Sequence, residues 1–172
     1  IAIRDEDCVI VVEGYMDVVA LAQHGVGNAV ATLGTATTPT HVHKLLRQAD
    51  RVIFCFDGDN AGRKAAARAL DASLEHVADN KTVAFLFLPT EDDPDSYVRA
   101  HGADAFRKLG RQAMPLTDFL MQELRAGKDL ATAEGRSQLV HAAKPLLGRL
   151  LSLRAEKAAL LAGDPERFFT EP

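Results

Sequence analysis

The stretch Arg51-Val52-Ile53-Phe54-Cys55-Phe56-Asp57-Gly58-Asp59-Asn60-Ala61-Gly62 decides how this chain folds. Residues 52–56 form an unbroken apolar run rich in β-branched and aromatic types, the signature of a strand buried on both faces. Asp57-Gly58 breaks the run, and an Ala-rich stretch over residues 61–77 reads as a helix. The same grammar recurs on either side. Val9-Ile10-Val11-Val12 is a short buried strand followed by a helix over residues 15–24. Ala29-Val30-Ala31 is a weaker strand, and Leu33-Gly34-Thr35-Ala36 makes a turn. Thr38-Pro39 then reads as an N-cap followed by proline at the first helical position, opening a helix to about residue 48. A fourth strand over residues 82–88 is closed by Pro89. Strands alternating with helices predict an α/β fold, a parallel sheet covered on both sides.

From about Pro94 onward the signal is only helical. Tyr97-Val98, Phe106, Leu109, Phe119-Leu120, Leu124, Leu139-Val140 and Leu146-Leu147 recur at helical spacing, punctuated by Pro115 and Gly127. The division predicted is an α/β domain over residues 1–100 and helices packed beside it over 101–172. The 172 residues, 47% hydrophobic, suffice for one good core. No apolar run approaches the ~18–20 residues of a membrane span, and no signal peptide opens the chain. Cys8 and Cys55 sit in apolar runs and read as reduced thiols of a cytoplasmic protein. A formal net charge of −4 leaves no long basic face, although phosphate contacts supply most non-specific affinity for nucleic acid. The first residue is Ile1, so the chain reads as an excised piece whose main nucleic-acid grip lies elsewhere.

Acidic residues follow three of the strands. Glu13 follows the first, Asp57 and Asp59 follow residues 51–56, and Asp93 and Asp95 follow the fourth. Ligands of open parallel sheets bind outside the carboxyl ends of the strands, so these loops are expected to converge on one site. Each alone has an ordinary reading: Asp57-Gly58 as a turn, Glu13 as a helix start, and residues 91–95 as a solvated loop. Their coincidence at strand ends argues for more. Two carboxylates ~4 Å apart repel by about 4 kcal/mol at an effective dielectric of about 20, so the group calls for a cation. Hard oxygen donors without a convincing Cys or His set point to Mg²⁺, with Mn²⁺ as a substitute. Asp57 and Asp59 lie two apart, which on extended backbone aims both side chains the same way. Gly14, Gly58 and Gly62 allow sharp turns and leave room for phosphate. Arg63, Lys64 and Arg68 follow on the helix as candidate phosphate contacts or an ordinary solvated face. Thr35, Thr37 and Thr38 could donate to phosphate or serve turn chemistry. His41 and His43 are two apart on a helix and face different ways.

Taken together, Glu13-Gly14-Tyr15-Met16-Asp17, Leu33-Gly34-Thr35, Asp57-Gly58-Asp59-Asn60-Ala61-Gly62 and Asp93-Pro94-Asp95 resemble the Toprim domain of bacterial DNA primases. The likeness runs from about Val9 to Arg99, and Ala113-Met114-Pro115-Leu116 resembles the helical segment after that domain. It implies a Toprim-like parallel sheet flanked by helices, followed by a small all-helical subdomain. It further implies the metal-binding half of a primer-synthesising RNA polymerase, working by two-metal nucleotidyl transfer. Glu13, Asp57 and Asp59 would be the catalytic ligands, with Asp93 and Asp95 completing the metal set. Gly14, Asp17, Thr35, Gly58, Asn60, Gly62, Arg63 and Lys64 would support the site or touch phosphate. The implied partners of the whole protein are a single-stranded DNA template, ribonucleoside triphosphates and an RNA–DNA hybrid, in a cytoplasmic, nucleoid-associated setting. Replicative helicase and single-strand binding protein would be reached through missing domains. Neither the zinc-binding, the basic template-gripping nor the helicase-interacting domain of such enzymes has an apparent counterpart here, and residues 163–169 match nothing.

Two other readings share these carboxylates: a Toprim nuclease that activates water for phosphodiester hydrolysis, and a non-catalytic module holding a structural metal. Tyr-Met-Asp and Asp-Pro-Asp weigh against the first, as does the lack of a tyrosine placed for topoisomerase chemistry. On the primase reading, the isolated chain is expected to bind metal without making primers. Primer synthesis by this fragment on single-stranded template would overturn that expectation.

Overall fold

A computed structural model describes residues 2–32, 36–74, 76 and 80–151. A short helix α1 (Ala2–Glu6) leads into β1 (Cys8–Val12) and α2 (Tyr15–Gln23). There follow β2 (Ala29–Ala31), α3 (Pro39–Leu46), β3 (Arg51–Phe56) and α4 (Asn60–Ser73). The chain continues through β4 (Thr82–Phe87), α5 (Pro94–Arg111), β5 (Met114–Pro115), α6 (Leu116–Arg125) and α7 (Ala133–Leu151). The strands form one sheet in the order β2-β1-β3-β4-β5. β1 pairs in parallel with β2 and with β3, and β3 in parallel with β4.

The expectation of helix alone after Pro94 is corrected by β5, which pairs antiparallel with β4 through Ala84↔Pro115 and Phe85↔Met114. The sheet is therefore mixed, with one antiparallel edge. A two-residue strand has no periodicity to read, and its proline is tolerated because an edge strand can spare an N–H. Predicted and observed helix starts agree closely. Thr38 caps α3, its hydroxyl accepting from the His41 N–H at 3.3 Å, with Pro39 at the first turn. Helix α4 ends at Ser73, short of the expected residue 77, which lies outside the described residues.

Alternation along each strand splits the core in two. Val9, Val11, Val52, Phe54, Phe56, Val83 and Phe85 face one way and are covered by α3, α4, α6 and α7. Ile10, Val12, Ile53, Cys55, Ala84 and Leu86 face the other way, under α2 and α5. Both cysteines are free; Cys55 is buried and Cys8 half-buried. Helix α5 passes residue 100 without interruption of its span, kinking at Gly102, whose φ of 80° suits glycine. The later helices share the sheet's core: Phe119 of α6 sits 4.7 Å from Phe85 and 5.4 Å from Phe87 between ring centroids. Among the described residues no helix is long and apolar enough to cross a membrane.

Phe119 is fully buried, so Phe119→Ala leaves a cavity and is expected to cost about 3–5 kcal/mol. Urea denaturation should show sheet and helix lost in one transition. Separate unfolding of residues beyond 100, with the sheet unaffected, would contradict the shared core.

Candidate metal centre

The three acidic loops leave the same edge of the sheet. Parallel pairing sets Val11 beside Phe54 and Phe56 beside Phe87, so β1, β3 and β4 end nearly level. Glu13, Asp57 and the loop toward Asp93 follow directly. Two glycines hold this edge together. A Cβ on Gly58 would lie 2.2 Å from the Leu88 carbonyl oxygen and 3.0 Å from the Thr90 nitrogen. The loop after β3 is thus pressed against the loop after β4, backbone to backbone. A Cβ on Gly62 would lie 2.2 Å from the Asp57 carbonyl oxygen, so the first turn of α4 rests on Asp57 itself.

The acids do not stand alike. Asp57 and Asp17 are half-buried, whereas Glu13, Asp59 and Asp93 are exposed. Asp59 is the N-cap of α4, its Oδ1 accepting from the Gly62 N–H at 2.7 Å. Asp93 caps α5 in the same way, its Oδ1 accepting from the Ser96 N–H at 2.7 Å. Both are thus helix caps, a role not expected of either, and a carboxylate has lone pairs beyond the one a cap uses. Asp95 is ion-paired with Arg99 one turn along α5. The Asp17 carboxylate accepts from the Gly14 N–H at 3.1 Å.

The electrostatics link the three loops. Burial pushes the Asp57 carboxyl up to about 6, and the charges of Glu13, Asp17, Asp93 and Asp59 push the same way. Side chains from all three loops are thus felt at one carboxyl. Asp17 is also raised, by burial first and then by Asp93 and Asp95, against the opposing bond from Gly14. Cys55 lies beneath. Burial, then Asp57, Asp17 and Glu13, raise its thiol far above its ordinary value, so it offers a neutral thiol and no thiolate ligand. Among the described residues no three His, Cys, Asp or Glu side chains are drawn into a ready ligand set. Mutual repulsion opposes such an approach in the absence of a cation. The donors that do converge are hard carboxylate oxygens with Asp57 short of a counter-charge, which fits a divalent ion that keeps water or phosphate in its shell.

The remaining candidates separate. Gly14, Gly58 and Gly62 lie at the acidic edge, and Asn60 is exposed at the first turn of α4. The Arg63 guanidinium lies over the Phe87 ring, 5.1 Å from its centroid. Lys64 is exposed. Thr35, with Leu33 and Gly34, and the segment 163–169 lie outside the described residues.

A mostly parallel sheet with acids on three level strand ends is the plan of a Toprim-like domain, and the Toprim-like family profile matches residues 10–98. The chain belongs to that family. Within it the chain is similar in sequence and structure to bacterial DNA primases. The DNA primase of Pseudomonas aeruginosa is 55% identical over 148 residues, covering 86% of this chain and 22% of the relative. The crystal structure of a DNA primase domain from Pseudomonas aeruginosa superposes with a TM-score of 0.82 at 52% identity, covering 87% of this chain and 48% of that one. A structure of the DnaG primase catalytic domain bound to ssDNA gives a TM-score of 0.82 at 45% identity, over 90% of this chain and 53% of that one. The chain therefore spans 22% of its Pseudomonas relative's length. Toprim domains of primases bind metal.

A second profile, the DnaB-helicase binding domain of primase, matches residues 117–152. This corrects the expectation that a helicase-interacting domain has no counterpart here. Amphipathic helices such as α6 and α7 carry apolar spacing and no chemical motif, so nothing in their residues distinguished a docking segment from ordinary core helices.

In metal-free buffer the raised Asp57 carboxyl has a signed consequence. Its folded value of about 6 exceeds the ~3.9 of an unfolded aspartate, so the folded chain holds the extra proton between the two. Stability is lost as pH rises through that window. Asp57→Asn is expected to melt higher than the wild type above about pH 6, the gap closing toward pH ~4, in thermal melts with chelator present. A gap of constant size across the range would contradict this account.

Proposed function

We propose that this chain is the catalytic metal-binding part of a DNA primase, a DNA-dependent RNA polymerase that makes short RNA primers for replication by Mg²⁺-dependent nucleotidyl transfer. The observation that carries it is Asp57: half-buried, raised to about 6 by burial and by the charges of Glu13, Asp17, Asp93 and Asp59, which follow three strand ends. Glu13, Asp57 and Asp59 would hold the metal, with Mn²⁺ able to replace Mg²⁺. Asp93 and Asp95 would complete the ligand set and Asp17 would support it. When bound, divalent ions supply Lewis acidity that lowers the barrier to 3′-hydroxyl attack and steadies the leaving pyrophosphate. The chain's own part is to hold and orient. Gly58 keeps the Asp57–Asp59 loop seated on the Leu88–Thr90 backbone, and the caps at Asp59 and Asp93 tie those carboxylates to rigid helix starts. Gly14, Gly58, Asn60 and Gly62 would line the path of phosphate, together with Thr35, Arg63 and Lys64.

The unit over residues 1–100 would carry the metal, and the helices over 101–172 would support it. The proposed partners of the whole protein are single-stranded DNA, ribonucleoside triphosphates and an RNA–DNA hybrid. The segment 117–152 would engage a replicative helicase, and single-strand binding protein would be reached through other domains. The setting is cytoplasmic and nucleoid-associated. A net charge of −4 argues that the template is gripped chiefly by surface outside this chain.

Calorimetric titration with Mn²⁺ tests the reading. The wild type should take up metal with a Kd on the order of 1 mM and a small rise in Tm, and the double variant Asp57→Ala, Asp59→Ala should take up none. No uptake by the wild type, or tight uptake with a large rise in Tm, would reject a catalytic centre. Ribonucleotide incorporation on single-stranded DNA by the full-length enzyme, abolished by the same substitutions, separates primase from nuclease.

A further inference from the structure

Three cations follow the acidic loop along α4, and the fold sends them to different places. Arg63 lies over Phe87, and Lys64 is exposed. Arg68, also exposed, borders a cavity of about 120 Å³ shared with Glu13, Thr32, Thr37, Phe56 and Ala65.

Glu13 belongs to two spaces. Its charge is felt at Asp57 among the carboxylates, and its side chain also walls this cavity. The acids on α2 and α5 accompany helices packed over Ile10, Val12, Cys55 and Leu86. Helix α4 packs on the opposite face, over Val11, Phe54 and Phe56. The sheet edge is therefore polar across its thickness: Asp17, Asp93 and Asp95 accompany α2 and α5 on one face, and Asp59 and Arg68 accompany α4 on the other. Arg68 shares a cavity with Glu13 yet makes none of the ion pairs found among the described residues. Thr38 spends its hydroxyl on the α3 cap, whereas its neighbour Thr37 faces the cavity. Pockets that take a whole small molecule run to about 300–1,000 Å³, so this one suits a single group. Its cation and hydroxyls select an anionic, oxygen-rich one.

We propose that Arg68, assisted by Thr37, forms a subsite for the terminal phosphates of a polyphosphate whose remaining oxygens face the carboxylate cluster. The proposal deepens the metal-centre reading above and rests on it for the second half of that ligand. A polyphosphate alone is repelled by Glu13 and Asp57. A divalent ion offsets those charges, and the guanidinium fork adds paired, charge-assisted hydrogen bonds of a kind lysine cannot reproduce. Arg68 is thus a substrate-positioning residue.

Inorganic tripolyphosphate, titrated calorimetrically into the 172-residue chain with and without Mn²⁺, tests this. Arg68→Ala should weaken tripolyphosphate binding in Mn²⁺ by about tenfold or more, with uptake of Mn²⁺ alone and Tm unchanged. Arg68→Lys should recover part of the loss, and Lys108→Ala, in the last turn of α5, should stay within about twofold of wild type. Wild-type affinity in Arg68→Ala, or an equal loss in Lys108→Ala, overturns the proposal while leaving the metal-centre reading intact. If the wild type takes up no Mn²⁺, the metal-centre reading fails and this proposal, which rests on it, fails with it.

Discussion

Parallel hydrogen bonding of β3 to β1 on one side and to β4 on the other sets the heights at which three loops leave the sheet. The pairs Val11–Phe54 and Phe56–Phe87 place those exits at one edge, and every property of the acidic centre follows from that level. A strand held on both sides and buried on both faces cannot slip by a residue without turning Phe54 and Phe56 from one core to the other. The register that positions Asp57 is therefore fixed by apolar packing well below it. Gly58 then locks the β3 loop onto the β4 loop, so the approach of their acids is set by backbone contact rather than by side-chain rotamers.

Capping and metal chemistry are usually treated as rival explanations for an acid at a helix start. At this edge they cooperate. Asp59 and Asp93 each give one oxygen to a helix N-terminus, which orients the carboxylate and leaves lone pairs over. Asp57 has no such outlet. It is half-buried, and burial first, then the charges of Glu13, Asp17, Asp93 and Asp59, raises its carboxyl to about 6.

The α/β half was legible because its signals are chemical and local. Ala29–Ala31 and Arg51–Phe56 were bounded correctly by Gly, Thr and Asp residues whose conformational preferences end strands. Thr38-Pro39 announced α3 for the same reason. The acids were legible through their position after strands, and the chain matches the Toprim-like family over residues 10–98. What could not be read was anything created by long-range contact. β5 exists because α5 returns residues 114–115 to the free edge of β4, which no local pattern records. The cavity behind Glu13 is made by residues from the loop after β1, the β2–α3 connection, β3 and α4, so nothing local marked Arg68, exposed like Lys64, as the one that borders it. The apolar spacing of α6 and α7 revealed that they were buried on one side, and was silent on what the other side might meet.

The stacking of Phe119 against Phe85 and Phe87 joins the two profile-matched regions mechanically. Residues 117–152 begin inside the hydrophobic core that supports the acidic edge, with aromatic rings interlocked across the joint and Arg63 laid over the far side of that same aromatic group. A tug delivered through α6 reaches β4 without crossing a hinge, and β4 runs straight to the loop on which Gly58 rests. A load on those helices is therefore carried into the frame of the acidic edge.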